Sequence, residues 1–288
     1  MNSELVIVAK DVKKSYGNVH ALSGLNLQVA RGECVSLLGP NGAGKTTITE
    51  ILEGYRVQDS GTVSVLGVDP NHGDLAWRSR LGIVLQSVHD LMELTVLESV
   101  RHFAKYYANP ADVDEVINSV GLDEKRNALG RHLSGGQRRR LDVALGIIGK
   151  PELLFLDEPT TGFDPEARRQ FWALIKSLRE QGTTILLTTH YLDEAEYLAD
   201  RVAVISRGRV VADQTPASLR ATAASKAVVS WSENGIEKSV ETNEPTSTLR
   251  ELTQKFSGEI PGLSVVRPSL EDVYLELVGA DMNGANGS

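Results

Sequence analysis

Five short runs of apolar or β-branched residues, each closing on a turn or a polar group, set the layout of this chain. They are Cys34-Val-Ser-Leu-Leu38, Leu81-Gly-Ile-Val-Leu85, Leu153-Leu-Phe-Leu156, Thr183-Thr-Ile-Leu-Leu-Thr-Thr189 and Val202-Ala-Val-Ile205. Runs this short and this continuous read as strands buried on both faces of an open α/β sheet. Leu5–Val8 with Val12, then Leu22, Leu25, Leu27 and Val29, alternate only in part. Together with Gly61–Val65 they read as a second, antiparallel group of strands with one wet face.

Between the strands the period changes to that of helices. Thr47–Glu53 carries helical spacing and stops at Gly54, a plausible C-cap. Thr95-Val-Leu-Glu98 is a capping box, followed by Val96, Val100, Phe103, Ala104 and Tyr107 on one face. A second amphipathic stretch, Asp112 to Val120, ends at Gly121. These place a helical insertion from about residue 87, continuing with the next helix to about 150. Ser134 is placed to cap the helix Gln137–Ile148. Asp164-Pro165 supplies an N-cap and an N1 proline for a helix running to Glu180. Asp193–Ala199 reads as a short helix, and Val202–Val211 as a hairpin turning at Arg207-Gly208-Arg209.

Residues 221–281 form a separate small α+β pattern. Ala227–Trp231 and Gly235–Val240 pair as strands, Pro245–Phe256 is a helix, Leu263–Val266 is a third strand and Pro268–Leu277 a closing helix. The end, 282–288, is rich in Gly and Asn and is expected to be disordered. The domain reading is therefore 1–220, 221–281 and a tail.

Composition narrows the class. At 288 residues, 41% hydrophobic and 24% charged, the chain is an ordinary globular protein with a real core. Its net charge is −8, and the part from Ala221 onward holds five Lys/Arg against ten Asp/Glu, so no basic face for nucleic acid is expected. The one cysteine, Cys34, lies in an apolar run and is expected to be a buried thiol, suiting a reducing compartment. No apolar run reaches the ~18 residues that a membrane helix needs. Met1-Asn-Ser-Glu4 lacks the basic start of a signal peptide, so any membrane link is expected to come through a partner.

The chemistry gathers at the ends of the buried strands. Gly39-Pro40-Asn41-Gly42-Ala43-Gly44-Lys45-Thr46 fits the phosphate-loop pattern G-x-x-x-x-G-K-S/T at every fixed position, after a strand and before a helix. Glycines let several backbone N–H groups turn toward one anion, and the helix start adds partial positive charge. Lys45 would reach the β- and γ-phosphates, the Thr46 hydroxyl would sit on Mg²⁺, and Thr47 is placed for the α-phosphate. Leu133-Ser134-Gly135-Gly136-Gln137 is a second glycine-rich helix start, a second candidate anion site. The Arg138-Arg139-Arg140 triplet that follows reads as a solvated face.

Asp157 and Glu158 close a buried strand at the edge where open α/β sheets bind ligands. Asp157 is placed to hold Mg²⁺ through water, and Glu158 to orient or deprotonate a water. His190 repeats that placement at another strand end. Gln86 closes a third strand, as an edge residue or as a group reaching the metal or the attacking water. Tyr16 is either a strand-end aromatic or, given a nucleotide, a ring to stack on adenine.

Residues 5–220 resemble the nucleotide-binding domain of the ABC transporter superfamily. The resemblance rests chiefly on Leu133–Gln137 standing ahead of Leu153-Leu-Phe-Leu-Asp-Glu158. Tyr16, Gln86, Asp164 and His190 fall where that family carries its adenine-stacking aromatic, Q-loop, D-loop and H-loop. The D-loop departs slightly, with Phe163 where the family often has Leu. The resemblance implies an ATPase that works as a head-to-tail pair, homodimeric or heterodimeric. Each ATP would lie between the phosphate loop of one copy and Ser134–Gln137 of the other. It implies Glu158 as general base, His190 on the γ-phosphate and the water, and Asp164 signalling across the pair. The helical insertion and Gln86 would dock an integral membrane permease. The tail resembles the accessory domain of drug-resistance exporter ATPases of the daunorubicin/doxorubicin type. This favours export, of a drug, lipid or polysaccharide-like substrate. The separate-chain architecture, with no spanning run, favours a prokaryote, with the chain working at the cytoplasmic face of its membrane. A soluble ABC ATPase acting on DNA or the ribosome usually shows paired cassettes, long coiled coils or zinc motifs. None of these is in the sequence. A phosphate-loop metabolite kinase leaves Leu133–Gln137 unexplained, and an importer fits the tail less well.

Overall fold

A computed structural model describes residues 4–84, 92–222, 227–256, 258–266, 269 and 271–275. In chain order the elements are β1 (Leu5–Tyr16), β2 (Val19–Ala30), β3 (Cys34–Leu38), α1 (Lys45–Leu52), β4 (Ser60–Val65), α2 (Leu75–Arg78) and β5 (Leu81–Val84). Next come α3 (Val96–Ala104), α4 (Val113–Ser119), α5 (Gly135–Ile147), β6 (Leu153–Asp157), α6 (Pro165–Glu180) and β7 (Thr184–Thr189). The chain continues through α7 (Leu192–Leu198), β8 (Arg201–Ser206), β9 (Arg209–Gln214), α8 (Pro216–Thr222), β10 (Ala227–Glu233), β11 (Ile236–Thr242), α9 (Pro245–Lys255) and β12 (Ser264–Val266).

The chain divides into two compact units, 1–215 and 216–288. That is earlier than the boundary expected at 220, because α8 belongs with the second unit.

In the first unit a six-stranded sheet runs in the order β5-β6-β7-β3-β8-β9, parallel throughout except for the β8–β9 hairpin. A three-stranded antiparallel sheet, β2-β1-β4, stands apart from it. The continuous apolar runs do what two-sided burial requires. Every residue of β3 and β7 is buried. Side chains along a strand point alternately to the two faces, and the two clusters of the core follow that alternation. Cys34, Leu154, Leu156, Ile185 and Leu187 join the residues of α3 to α6. Val35, Leu37, Leu153, Phe155 and Leu186 join α1 and the antiparallel sheet. The helical insertion thus shares a core with one face of the main sheet.

Helix starts are chemically explicit. The capping box at α3 is complete, with Thr95 Oγ1 accepting from the Glu98 N–H at 3.2 Å and Glu98 Oε2 accepting from the Thr95 N–H at 2.8 Å. Asp112 Oδ1 accepts from the Asp114 and Glu115 N–H groups at 2.9 and 3.0 Å, and Gly121 ends that helix region at φ 68°. Among the described residues no helix is long and apolar enough to cross a membrane.

The second unit holds a three-stranded antiparallel sheet, β11-β10-β12, and α9. Asn234-Gly235, both at positive φ, make the tight β10–β11 turn that such a pair favours. Among the described residues, Val229, Leu252 and Ile260 cluster as a core, with Trp231, Leu249 and Phe256 against them. Most of the closing helix and the 282–288 tail lie outside the described residues.

Two ionisable groups report on the core. Burial raises the Cys34 thiol to about 12, so it is inert at neutral pH. Glu53, the C-cap of α1, is also buried. Burial first, then the carboxylates of Asp157 and Glu50, raise its pKa to about 8. The folded chain therefore keeps a proton that the unfolded chain releases near pH 4.5. Stability from this group is full below that value and is lost as pH rises toward 8. Glu53→Gln stays neutral and escapes the loss. Its melting temperature relative to the native chain is expected to be higher at about pH 8.5 than at about pH 5. Equal offsets at both pH values would refute the assignment.

Candidate active site

β6, β7 and β3 are consecutive, parallel neighbours. Leu38 stands opposite Thr189, and Asp157 opposite Thr188. Their C-terminal ends therefore deliver three things to one edge: the phosphate loop after β3, Glu158 after β6 and His190 after β7. Here the strand-end placement inferred from sequence becomes a geometric fact.

The loop is held tightly by backbone. A Cβ on Gly39 would lie 2.4 Å from the Ile205 carbonyl oxygen, and one on Gly44, at φ 108°, would lie 2.6 Å from that of Ala21. The Gly208 N–H donates to Ala43 O at 2.9 Å, and the Ser23 N–H to Gly208 O at 3.0 Å. The β8–β9 turn thus staples the loop to β2. Lys45 is 6% exposed, and its Nζ donates to Gly39 O (2.6 Å) and Pro40 O (3.2 Å). Burial lowers its pKa, opposed by the charges of Glu158 and Asp157. Asn41, Gly42 and Thr46 are exposed, while Pro40 and Thr47 are half-buried. α1 begins at Lys45, so the N–H groups of its first turn lack partners within the helix, the arrangement that favours an anion.

Glu158 occupies φ 42°, a conformation that costs a non-glycine residue on the order of 1–3 kcal/mol. Thr188 holds it there. The Glu158 N–H donates to both Thr188 O and Thr188 Oγ1, each at 3.1 Å, and the Thr188 hydroxyl donates onward to Asp157 Oδ1. The strained turn swings the Glu158 carboxylate to His190, with Nδ1 and Oε1 3.2 Å apart. The Thr161 hydroxyl reaches Glu158 Oε2 at 3.4 Å.

Ser134 and Gln137 form a complete capping box at the start of α5. Ser134 Oγ accepts from the Gln137 N–H at 3.2 Å, and Gln137 Oε1 accepts from the Ser134 N–H at 3.0 Å. Gly135 is exposed, with open space where a Cβ would go, whereas one on Gly136 would press Ala167 Cβ at 3.3 Å. Among the described residues, no hydrogen bond joins Ser134–Gln137 to the loop 39–47 of the same chain. Asp164 caps α6, with Oδ1 accepting from the Glu166 and Ala167 N–H groups at 3.0 and 2.8 Å. Tyr16 is 40% exposed at the end of β1, with the Arg56 guanidinium 5.0 Å from its ring centre. Gln86 lies outside the described residues.

One expectation fails. Arg139 is not on a solvated face; it is 6% exposed and bonds to the carbonyls of Asp157 and Pro159. Its place in the helical period, four residues before buried Val143, is the signal that could have revealed this. Glu194 on α7 was also missed. It is 1% exposed, and its Oε1 accepts from the Thr160 hydroxyl (2.9 Å) and the Trp172 indole N–H (3.2 Å).

A phosphate loop, an acidic strand end and a histidine on adjacent parallel strands define a phosphate-loop nucleoside triphosphatase. Residues 22–161 match the family described as ABC transporter. A Nod factor export ATP-binding protein I of Ralstonia nicotianae is 37% identical over 312 residues, covering 98% of this chain and 96% of that protein. A daunorubicin resistance ATP-binding protein of Streptomyces coeruleorubidus is 34% identical over 308 residues, covering 97% and 98%. Among solved structures, an ATP-binding subunit of an ABC transporter matches with a TM-score of 0.70 at 24% identity, covering 94% of this chain and 99% of that one. A dimeric post-hydrolysis ATP-binding cassette bound to ADP and Pi matches with a TM-score of 0.65 at 26% identity, covering 73% and 98%. The chain belongs to the ABC transporter family of ATP-binding proteins and is an ABC ATPase.

Gly44 offers a direct test of the loop. Gly44→Ala puts a side chain at positive φ against the Ala21 carbonyl, which is expected to cost about 1 kcal/mol or more. Thermal unfolding is expected to drop while ATP binding, measured by calorimetry, is largely lost. Native-like ATP affinity in this variant would show that the loop is not held as described.

Proposed function

We propose that the chain is the ATP-hydrolysing subunit of a bacterial ABC exporter, working as a head-to-tail pair beneath a separate membrane permease. The observation that carries the hydrolytic reading is the Glu158–His190 pair, 3.2 Å apart at the sheet edge that also presents Lys45. Export is supported by the names of the relatives from Ralstonia and Streptomyces, matched over nearly their whole length. Work at the inner face of the cell membrane follows from the same reading.

In the proposed site the phosphate loop and the start of α1 bind the β- and γ-phosphates through backbone N–H groups, and Lys45 exchanges its carbonyl partners for phosphate oxygens. Tyr16 stacks on adenine. Glu158 takes a proton from the attacking water, and His190 holds that water and the γ-phosphate in place. Donor chemistry also fits Mg²⁺: an exposed Thr46 hydroxyl and a half-buried Asp157 carboxylate are hard oxygen ligands. No group of three or more His, Cys, Asp or Glu side chains that could hold a metal occurs among the described residues, so phosphates and water would complete the shell. Bound there, Mg²⁺ would neutralise charge between the β- and γ-phosphates. Gln86 remains a proposed third contributor to the metal, and Asp164 a group signalling across the pair.

Glu158→Gln keeps the shape and removes the base. ATP binding is expected to persist while steady-state hydrolysis falls at least about a hundredfold; turnover near the native rate would exclude Glu158 as the principal base. The same variant tests the pair. With ATP it is expected to elute as a dimer on size-exclusion chromatography, because binding is no longer followed by hydrolysis. Adding Gly136→Asp places negative charge where the partner's phosphate would approach and is expected to leave a monomer. At dilutions too low for pairing its affinity for ATP should match that of Glu158→Gln alone. A large loss there would put Ser134–Gln137 in the same chain's site.

A further inference from the structure

Arg139 is a charged side chain in the core that neither the phosphate loop nor the acidic strand end explains. It sits on α5, one turn after the capping box of Ser134 and Gln137. Its Nε donates to Pro159 O at 3.1 Å and its terminal nitrogen to Asp157 O at 2.7 Å. These two carbonyls bracket Glu158. The bonds therefore grip the backbone on either side of the residue held at φ 42°, the strained turn that aims its carboxylate at His190. One residue further on, Thr160 is tied to buried Glu194. Asp142, 3.9 Å from Arg139 on the same helix, supplies countercharge.

Burial of this guanidinium is costly in itself, and it lowers the group's pKa against the opposing pull of Asp142, Asp157 and Glu194. A neutral side chain of similar shape would fill the space with less penalty. The planar fork has one property an apolar group lacks, which is to hold two carbonyl oxygens at a set spacing.

We propose that Arg139 is a positioning residue for hydrolysis, fixing the backbone that presents Glu158 and tying it rigidly to the helix whose first residues form the second anion site. This rests on the head-to-tail reading for its consequence. A γ-phosphate seated at Ser134–Gly136 by a second copy would act on α5, and Arg139 would pass any shift of that helix start to Glu158 of the same chain. Each chain's base would then sense the nucleotide held by its partner.

The test uses Arg139→Lys, which keeps the charge but loses the fork, and Arg139→Gln, which keeps one planar donor group and loses the charge. Both are measured as the full chain for kcat, KM for ATP and melting temperature. A misplaced base is expected to lower kcat about ten- to a hundredfold while KM stays within about twofold and both variants remain folded. The Arg139→Lys change in the Glu158→Gln background should still pair with ATP. That result separates this proposal from the head-to-tail reading, which is tested with native Arg139 by the pairing of Glu158→Gln and by the Gly136→Asp double variant. A kcat within twofold of native in Arg139→Lys would overturn the proposal. So would loss of folding or of ATP binding in both variants, since Arg139 would then be an ordinary structural ion.

Discussion

Three parallel strands must end level for this site to exist. β3, β7 and β6 are hydrogen-bonded in register, with Leu38 across from Thr189 and Thr188 across from Asp157. Because successive side chains alternate between faces, a slip of one residue in β7 would exchange its two faces. It would also carry Thr188 away from the Glu158 N–H and His190 away from the carboxylate. The register is secured far from the chemistry, by apolar side chains packed on both faces of the same strands. The geometry of the candidate site and the packing of the core are thus one problem in this fold.

The strands, their buried character and the residues at their ends were legible because the relevant signals are local. A continuous apolar run, a glycine-rich turn and a capping box each declare themselves within a few residues, and Leu153–Glu158, Gly39–Thr46 and Thr95–Glu98 did so. What was not legible depended on the surroundings. The Arg138–Arg140 triplet looks solvated in one dimension, but only Arg139 turns into the core, and it does so to reach carbonyls about twenty residues away in sequence. The positive φ of Glu158 leaves no compositional mark, since glutamate is not a residue chosen for that conformation. Arg56 beside Tyr16, and Glu194 beneath Thr160, are likewise pairings across sequence that no spacing rule announces.

The strained turn at Glu158 and the buried charges around it belong together. A glycine in its place would relieve the strain but carry no carboxylate. The chain instead keeps the glutamate and surrounds the turn with hydrogen bonds accepted by Thr188 and donated by Arg139. Such a turn is rigid because it is over-determined, with several bonds fixing a few dihedral angles. Among the described residues of the second unit, by contrast, several apolar side chains of its sheet are in contact with solvent.

The burial of Cys34 has a practical consequence. With its only thiol sealed in the core and burial favouring its protonated form, the natural chain is expected to be silent toward maleimide and iodoacetamide reagents at neutral pH. A cysteine engineered onto the surface would therefore be the sole point of attachment, with no native residue first removed. Spin labels or donor and acceptor dyes could be placed one site at a time, and the unaltered protein would serve as its own blank. Distances between chosen surface positions become measurable in an otherwise natural molecule.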